Sequence, residues 1–238
     1  MQSFRVWDLP TRVFHWALVA AILLAYLTSS GHPQGFLFAL HLAGGYSVVL
    51  LLVFRFAWGF AGGEHARFAG FVRGWRAVRN HAQSLWHLSP ERSIGHNAIG
   101  GWMIVLLLLT LLLIVLTGLL SQGVTGGAGP LSSILPASLV KSVGAAHKWL
   151  GSAILYLAGV HVAGVLFESL LGRENLARAM VTGRKPARLA EMRDARAVPV
   201  RRALALALLA ALLGAAMVSV TRMPPPSLAP APQRATSD

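Results

Sequence analysis

The chain has no cysteine and nine histidines. Imidazole is therefore the only side chain left that binds soft or redox-active metals well. Without thiols there is no disulfide, no iron–sulfur cluster, no thiolate zinc and no Cys-x-x-Cys-His attachment of haem. Four of the histidines, His15, His41, His147 and His161, stand within runs of apolar residues, where an ionisable group is costly and requires a reason. His147 and His161 are 14 residues apart. On one α-helix that spacing is about 21 Å and about 3.9 turns, so both rings point to nearly the same face. Imidazoles placed this way can ligate a metal or a haem iron, hydrogen-bond one another, or pass protons.

The elements that must hold them are apolar helices. Residues 13–30, 36–60, 97–121, 143–168 and 203–220 reach, or nearly reach, the length of about 20 residues that crosses a bilayer. Composition agrees: 55% of residues are hydrophobic and 12% charged, with a mean hydropathy of +0.61. That is half the usual charge content, too little to coat a soluble globule or to keep a chain disordered. The 21 Lys and Arg against 8 Asp and Glu give a net charge of +13, which in a soluble chain would point to nucleic acid. Here the basic residues gather in two loops. Residues 31–35 carry no charge and 122–142 only Lys141, whereas 61–95 hold five Arg and 169–202 hold eight Arg and Lys185. The positive-inside rule places the N-terminus and both basic loops in the cytoplasm and the tail from Pro224 outside. The basic excess is thus a topology signal plus attraction to anionic lipid, and nucleic acid is not an expected partner.

The expected fold is an all-α integral membrane bundle. A four-helix core with cytoplasmic loops occupies residues 1–200, an extra helix 201–222, and a Pro-rich tail, expected to be disordered, 223–238. Arg67, Phe68, Phe71, Arg73, Trp75, Arg76 and Trp86 read as an amphipathic segment at the membrane interface. Arg5 and Arg12 before the first apolar run, with Thr28-Ser29-Ser30-Gly31 after it, also resemble a cleavable leader, whose removal would take His15 away. Asp8, Pro10 and the uncharged loop that follows fit an uncleaved span better.

Depth sorts the histidines into pairs. His41 lies about one turn into the second span from the outer side, level with His147. His15 lies about one turn into the first span from the inner side, level with His161. Helices facing one another supply ligand pairs in this way. Gly44, Gly45, Gly144, Gly151, Gly159 and Gly164 flank these positions and would admit a flat porphyrin, although small residues also serve helix packing. A proton relay would draw on carboxylates along the path, and the spans offer only Glu168, at an end. Zinc would want several ligands at one depth. Two bis-histidine haems account for the pattern best. His96 sits at the mouth of the third span, and His32, His65, His81 and His87 fall in loops, where solvation is expected.

Several stretches carry a family resemblance. They run from Val6-Trp7-Asp8-Leu9-Pro10-Thr11-Arg12-Val13-Phe14-His15-Trp16 to His41 with Gly44-Gly45-Tyr46, then Trp58-Gly59-Phe60 and Ala66-Arg67-Phe68. They continue with Gly95-His96-Asn97, Gly100-Gly101-Trp102, His147-Lys148-Trp149-Leu150, His161-Val162-Ala163-Gly164, Arg173-Glu174-Asn175-Leu176 and Thr182-Gly183-Arg184-Lys185. In order and spacing, across residues 5–185, the chain resembles the bacterial and nickel-hydrogenase branch of the cytochrome b561 family, membrane cytochromes with two haem b groups. The resemblance implies that His15, His41, His147 and His161 are axial ligands. It also implies that Arg12, Arg55 and Arg67 on the inner side and Lys148 on the outer side are candidate propionate contacts, each equally readable as a snorkelling surface charge. His96 matches the pattern as well, as a propionate or quinone contact or as a competitor of His15. The resemblance ends near residue 200, and the fifth helix and Pro224-Pro225-Pro226 lie beyond it.

Bis-histidine ligation leaves iron no open position and favours electron transfer over oxygen binding. The expected function is a transmembrane conduit between the quinone pool and a redox partner, by resemblance a hydrogenase or other periplasmic dehydrogenase, or a c-type cytochrome. A stand-alone quinone oxidoreductase taking electrons from a small donor such as superoxide, drawn to Lys148, is the alternative. A channel or anchor would hold no haem.

Overall fold

The computed structural model describes residues 3–31, 35–90, 92–121, 131, 134–186, 194–195 and 199–221. His32 and the proline-rich tail lie outside them. The first helix, α1 (Leu9–Leu27), starts where the sequence supplies a start signal. Asp8 accepts from the Thr11 backbone N–H, and Pro10 takes a first-turn position where no N–H is needed. Helix α2 (Phe36–Ala61) follows. The basic loop after it contains a single turn, α3 (Phe68–Phe71), and an amphipathic helix, α4 (Trp75–Trp86). Helix α5 (Ala98–Leu120) is capped by Asn97, whose Oδ1 accepts from Gly100 N at 2.6 Å. Helix α6 (Ala137–Gly172) has 36 residues, longer at both ends than the expected fourth span. At 1.5 Å per residue it is about 54 Å long, so it projects beyond a hydrocarbon core of about 30 Å. Then come α7 (Leu176–Thr182) and, last, α8 (Val200–Thr221), which covers the expected fifth span.

Among the described residues, four helices are long and apolar enough to cross a membrane: Leu9–Leu27, Phe36–Ala61, Ala98–Leu120 and Ser138–Gly172. Helix α1 packs on α2, α2 on α5, and α5 on α6, while α8 also packs on α2. The core they share is built from Phe14 and Ala21 of α1, Val48 and Leu52 of α2, Leu108 and Leu111 of α5, and Ile154 of α6. The outward faces carry Phe36, Trp149, Tyr156 and Leu170, each more than three-quarters exposed. Such a surface requires hydrocarbon as its solvent.

Two features were not expected from sequence. Residues Ser3–Arg5 (β1) and Arg184–Pro186 (β2) form a two-stranded antiparallel sheet, with Phe4 opposite Lys185. It is covered by Phe4, Val6, Trp7 and Ala179. Gly183, with φ of 80°, makes the turn that lets its carbonyl accept from Val6 and Trp7; a Cβ there would meet the Trp7 carbonyl at 2.8 Å. Behind the sheet, Glu174 pairs with Arg92 and, at 3.7 Å, with Lys185, whose Nζ also donates to Ser93 O. The second feature is Asp8. Besides capping α1, its Oδ2 accepts from Trp58 Nε1 and Gly63 N, both at 3.2 Å, joining the start of α1 to the end of α2.

Candidate functional site

His41 of α2 and His147 of α6 face each other with ring centroids 6.2 Å apart and planes at 90°. Each ring is held from behind. His41 Nδ1 donates to Ala25 O at 2.7 Å, one of the last carbonyls of α1, which has no helical partner of its own. His147 Nδ1 donates to Ile114 O at 2.9 Å and lies 3.2 Å from Thr117 Oγ1. A histidine whose Nδ1–H is committed to a carbonyl presents the Nε2 lone pair, and this is how protein scaffolds orient imidazole ligands. Metal–imidazole bonds are about 2.0–2.1 Å, so rings at this separation can take one metal atom between them. Among the described residues no three or more His, Cys, Asp or Glu converge as a metal-ion site. The donor set is therefore a pair, which suits an iron whose remaining positions are filled by a porphyrin.

The close fit around His147 depends on Gly118. A Cβ at this position would stand 2.9 Å from His147 Cε1 and 3.3 Å from Nδ1. Gly118→Leu is therefore expected to push the ring off its carbonyl partner. Purified protein should then lose any redox group held by the His41–His147 pair, read by redox titration of its absorbance. Gly45, Gly151, Gly159 and Gly164 have no neighbour within 4 Å of a built Cβ. Near them a cleft of about 550 Å³ is lined by Tyr26 of α1 and by Ser152, Leu155, Tyr156, Gly159, Val160 and Ala163 of α6. The α1–α6 side of the bundle thus has room for a large flat group.

At the other end of the bundle, His15 of α1 and His161 of α6 lie near enough for their charges to interact. His96 is a third imidazole there, within electrostatic reach of His161, Arg55, Lys185 and His65. It packs on Trp7 at 4.5 Å and on Phe71 at 5.0 Å. Burial, reinforced by the Arg55 and Lys185 cations, pushes His96 down to about 3, so it is neutral. The Nδ1 atoms of His15 and His96 and the Nε of Arg12 are sealed from solvent without a hydrogen-bond partner. A sealed, unpaired polar atom is destabilising by about 1–3 kcal/mol, and a bound group that reaches these nitrogens would remove that penalty.

The expected charged contacts separate. Arg55 is 4% exposed, ringed by Phe14, Phe68 and Phe71, with its guanidinium carbon 4.9 Å from the Phe68 centroid, and it donates to Ala66 O. Arg12 donates to Val181 O, tying α1 to α7. Arg67 and Lys148 are exposed.

The loop histidines also separate. His87 is exposed and His65 is half-buried beside Trp7. His81 corrects the expectation of solvation. It is 8% exposed, and its Nε2 lies 2.7 Å from Glu168 Oε1. Sequence reasoning missed this because the partner is 87 residues away; the signal present was a lone carboxylate at the end of an apolar span.

The family model for prokaryotic cytochrome b561 matches residues 6–183. A protein named as a probable Ni/Fe-hydrogenase B-type cytochrome subunit from Rhizobium leguminosarum bv. viciae is 26% identical over 215 residues, 77% of this chain and 89% of that one. Another of the same name from Cupriavidus necator is 25% identical over 207 residues, 75% of this chain and 85% of that one. No solved structure matches the chain.

Proposed function

The chain belongs to the prokaryotic cytochrome b561 family, and on that premise we propose that it carries electrons across a bacterial inner membrane through two haem b groups. The chain is a multi-pass membrane b-type cytochrome of electron transfer. In the proposed arrangement His41 and His147 hold the outer haem, and His15 and His161 the inner. The N-terminus and both basic loops face the cytoplasm, and the tail faces the periplasm. One end exchanges electrons with the quinone pool and the other with a hydrogenase-type partner, as the names of the two relatives suggest. The fifth helix, α8, crosses beside α2.

The observation that carries this reading is the opposed pair of His41 and His147, each with its Nδ1 committed to a backbone carbonyl. Haem supplies a one-electron centre at each end; everything else is done by the chain. Ala25 and Ile114 fix the imidazole tautomers. The apolar core of Phe14, Val48, Leu52 and Leu111 keeps water from between the two ends. Arg55 and Arg12 offer positive charge at the inner end, and Lys148 does so at the outer.

Sealed vesicles test the proposal. With ferricyanide trapped inside and dithionite added outside, wild-type protein is expected to reduce the trapped acceptor well above the rate of protein-free vesicles. A rate equal to that of empty vesicles, from protein carrying haem, overturns it.

A further inference from the structure

The pair His81–Glu168 has no part in holding haem, yet it is the only buried imidazole–carboxylate pair among the described residues. It joins α4 to α6 at the inner end. Glu168 lies seven residues past His161 on α6, close to two turns, so it shares the His161 face about 10 Å further toward the basic-loop side. Asn97, next to His96 and capping α5, donates its Nδ2 to Glu168 Oε1 at 2.8 Å. Both hydrogen bonds to the carboxylate, from His81 and from Asn97, fall on Oε1. Oε2 takes none among the described residues. On the other side, His81 Nδ1 has no hydrogen bond among the described residues, and it is not among the sealed, unpaired atoms. The side chains are 7% and 18% exposed, for His81 and Glu168 respectively. A titratable chain thus runs from His81 Nδ1, through Nε2 and Oε1, to an open Oε2. The other charge that reaches Glu168 is Lys185 of β2, itself held by Glu174, which also pairs with Arg92.

We propose that His81 and Glu168 form the proton relay for quinone chemistry at the inner end, with Asn97 positioning the carboxylate. This rests on the reading of the chain as a quinone-linked cytochrome. Reduction of a quinone to its quinol consumes two electrons and two protons. The electrons arrive singly by way of the inner site. For each proton, the Glu168 acid gives its hydrogen from Oε2 to a quinone oxygen, and the resulting carboxylate takes the Nε2 proton of His81. The imidazole is then reprotonated from water. Oxidation of quinol runs the same steps backwards.

The test uses full-length, haem-loaded protein in detergent, pre-reduced and mixed either with decylubiquinone, which needs protons, or with ferricyanide, which does not. Glu168→Gln retains the hydrogen-bonding shape and loses the titration. It is expected to slow oxidation by decylubiquinone by at least about 100-fold, the scale of a lost general acid, with the ferricyanide rate unchanged. A protonated-carboxyl band in the redox-difference infrared spectrum of the wild type should vanish in this variant. His81→Gln should likewise slow the quinone arm alone, and it decides the matter if Glu168→Gln does not retain haem. Quinone rates within about twofold of wild type in the variants, or no carboxyl band in the wild type, overturn the relay. A wild type that shows the band and reduces ferricyanide but not decylubiquinone overturns the quinone reading and leaves the pair as a redox-linked proton site.

Discussion

Under the proposed ligand assignment, purified His41→Ala is expected to retain one haem per chain of the two proposed for the wild type, and His161→Ala to retain the other one. The two losses differ in kind because the two ends are built differently. At the outer end, removal of His41 leaves His147 still hydrogen-bonded to Ile114, an oriented single ligand facing an empty partner position. Residual outer haem in His41→Ala should therefore be five-coordinate and high-spin. At the inner end, His96 stands near His161 with a sealed and unpartnered Nδ1. His15→Ala should consequently lose less haem than His161→Ala if His96 takes the place of His15 opposite His161. Pyridine haemochrome quantification per polypeptide, beside reduced-minus-oxidised spectra, reads all of this. Full haem content in both His41→Ala and His161→Ala would end the assignment of these residues as ligands.

The second large effect is on stability. Asp8→Ala removes an N-cap, worth about 1 kcal/mol. It also removes two hydrogen bonds to a charged acceptor, from Trp58 Nε1 and Gly63 N, each worth about 1.5–3 kcal/mol. Allowing for solvent reaching the half-buried carboxylate, a loss of roughly 3 kcal/mol is expected, or a melting temperature lower by roughly 6–12 °C for a chain of this size. Asp8→Asn retains one acceptor oxygen for the cap but cannot serve all three donors, so it should fall between. Thermal unfolding in detergent followed by circular dichroism checks the order. An Asp8→Ala protein as stable as wild type would mean that the α1–α2 junction is held by packing alone.

Much of the fold was legible because a bilayer imposes a simple rule on sequence. Unbroken apolar runs give four of the five expected spans, and α2 and α5 match their expected limits to within a residue. The ends of α6 were not legible. Residues 137–142 and 169–172 are of mixed polarity, and a helix that leaves the membrane no longer has to be apolar. The sheet of β1 and β2 escaped for another reason: three-residue strands have no periodicity to read, and their pairing partner is a whole bundle away. At the site, the level of each histidine followed from counting residues along a helix. What counting cannot give is the back of each ring. Ala25 and Ile114 act through their carbonyls, which every residue has, so nothing in their identity marks them. His81 was misjudged by its neighbours Arg79 and Asn80, which belong to the polar side of α4, while the imidazole itself turns inward to Glu168.

The pairing of Phe4 with Lys185 also sets a timetable for biogenesis. The first strand leaves the ribosome at the very beginning of translation and its partner only after residue 186. At about 5–20 residues per second, roughly 10–40 s pass between the two. Throughout that interval the first span stands without the strand that will clasp it to the chain beyond α6, and the Arg92–Glu174–Lys185 cluster does not yet exist. Only when residues 184–186 emerge can the two strands pair, so the order of translation also sets the order in which these contacts form.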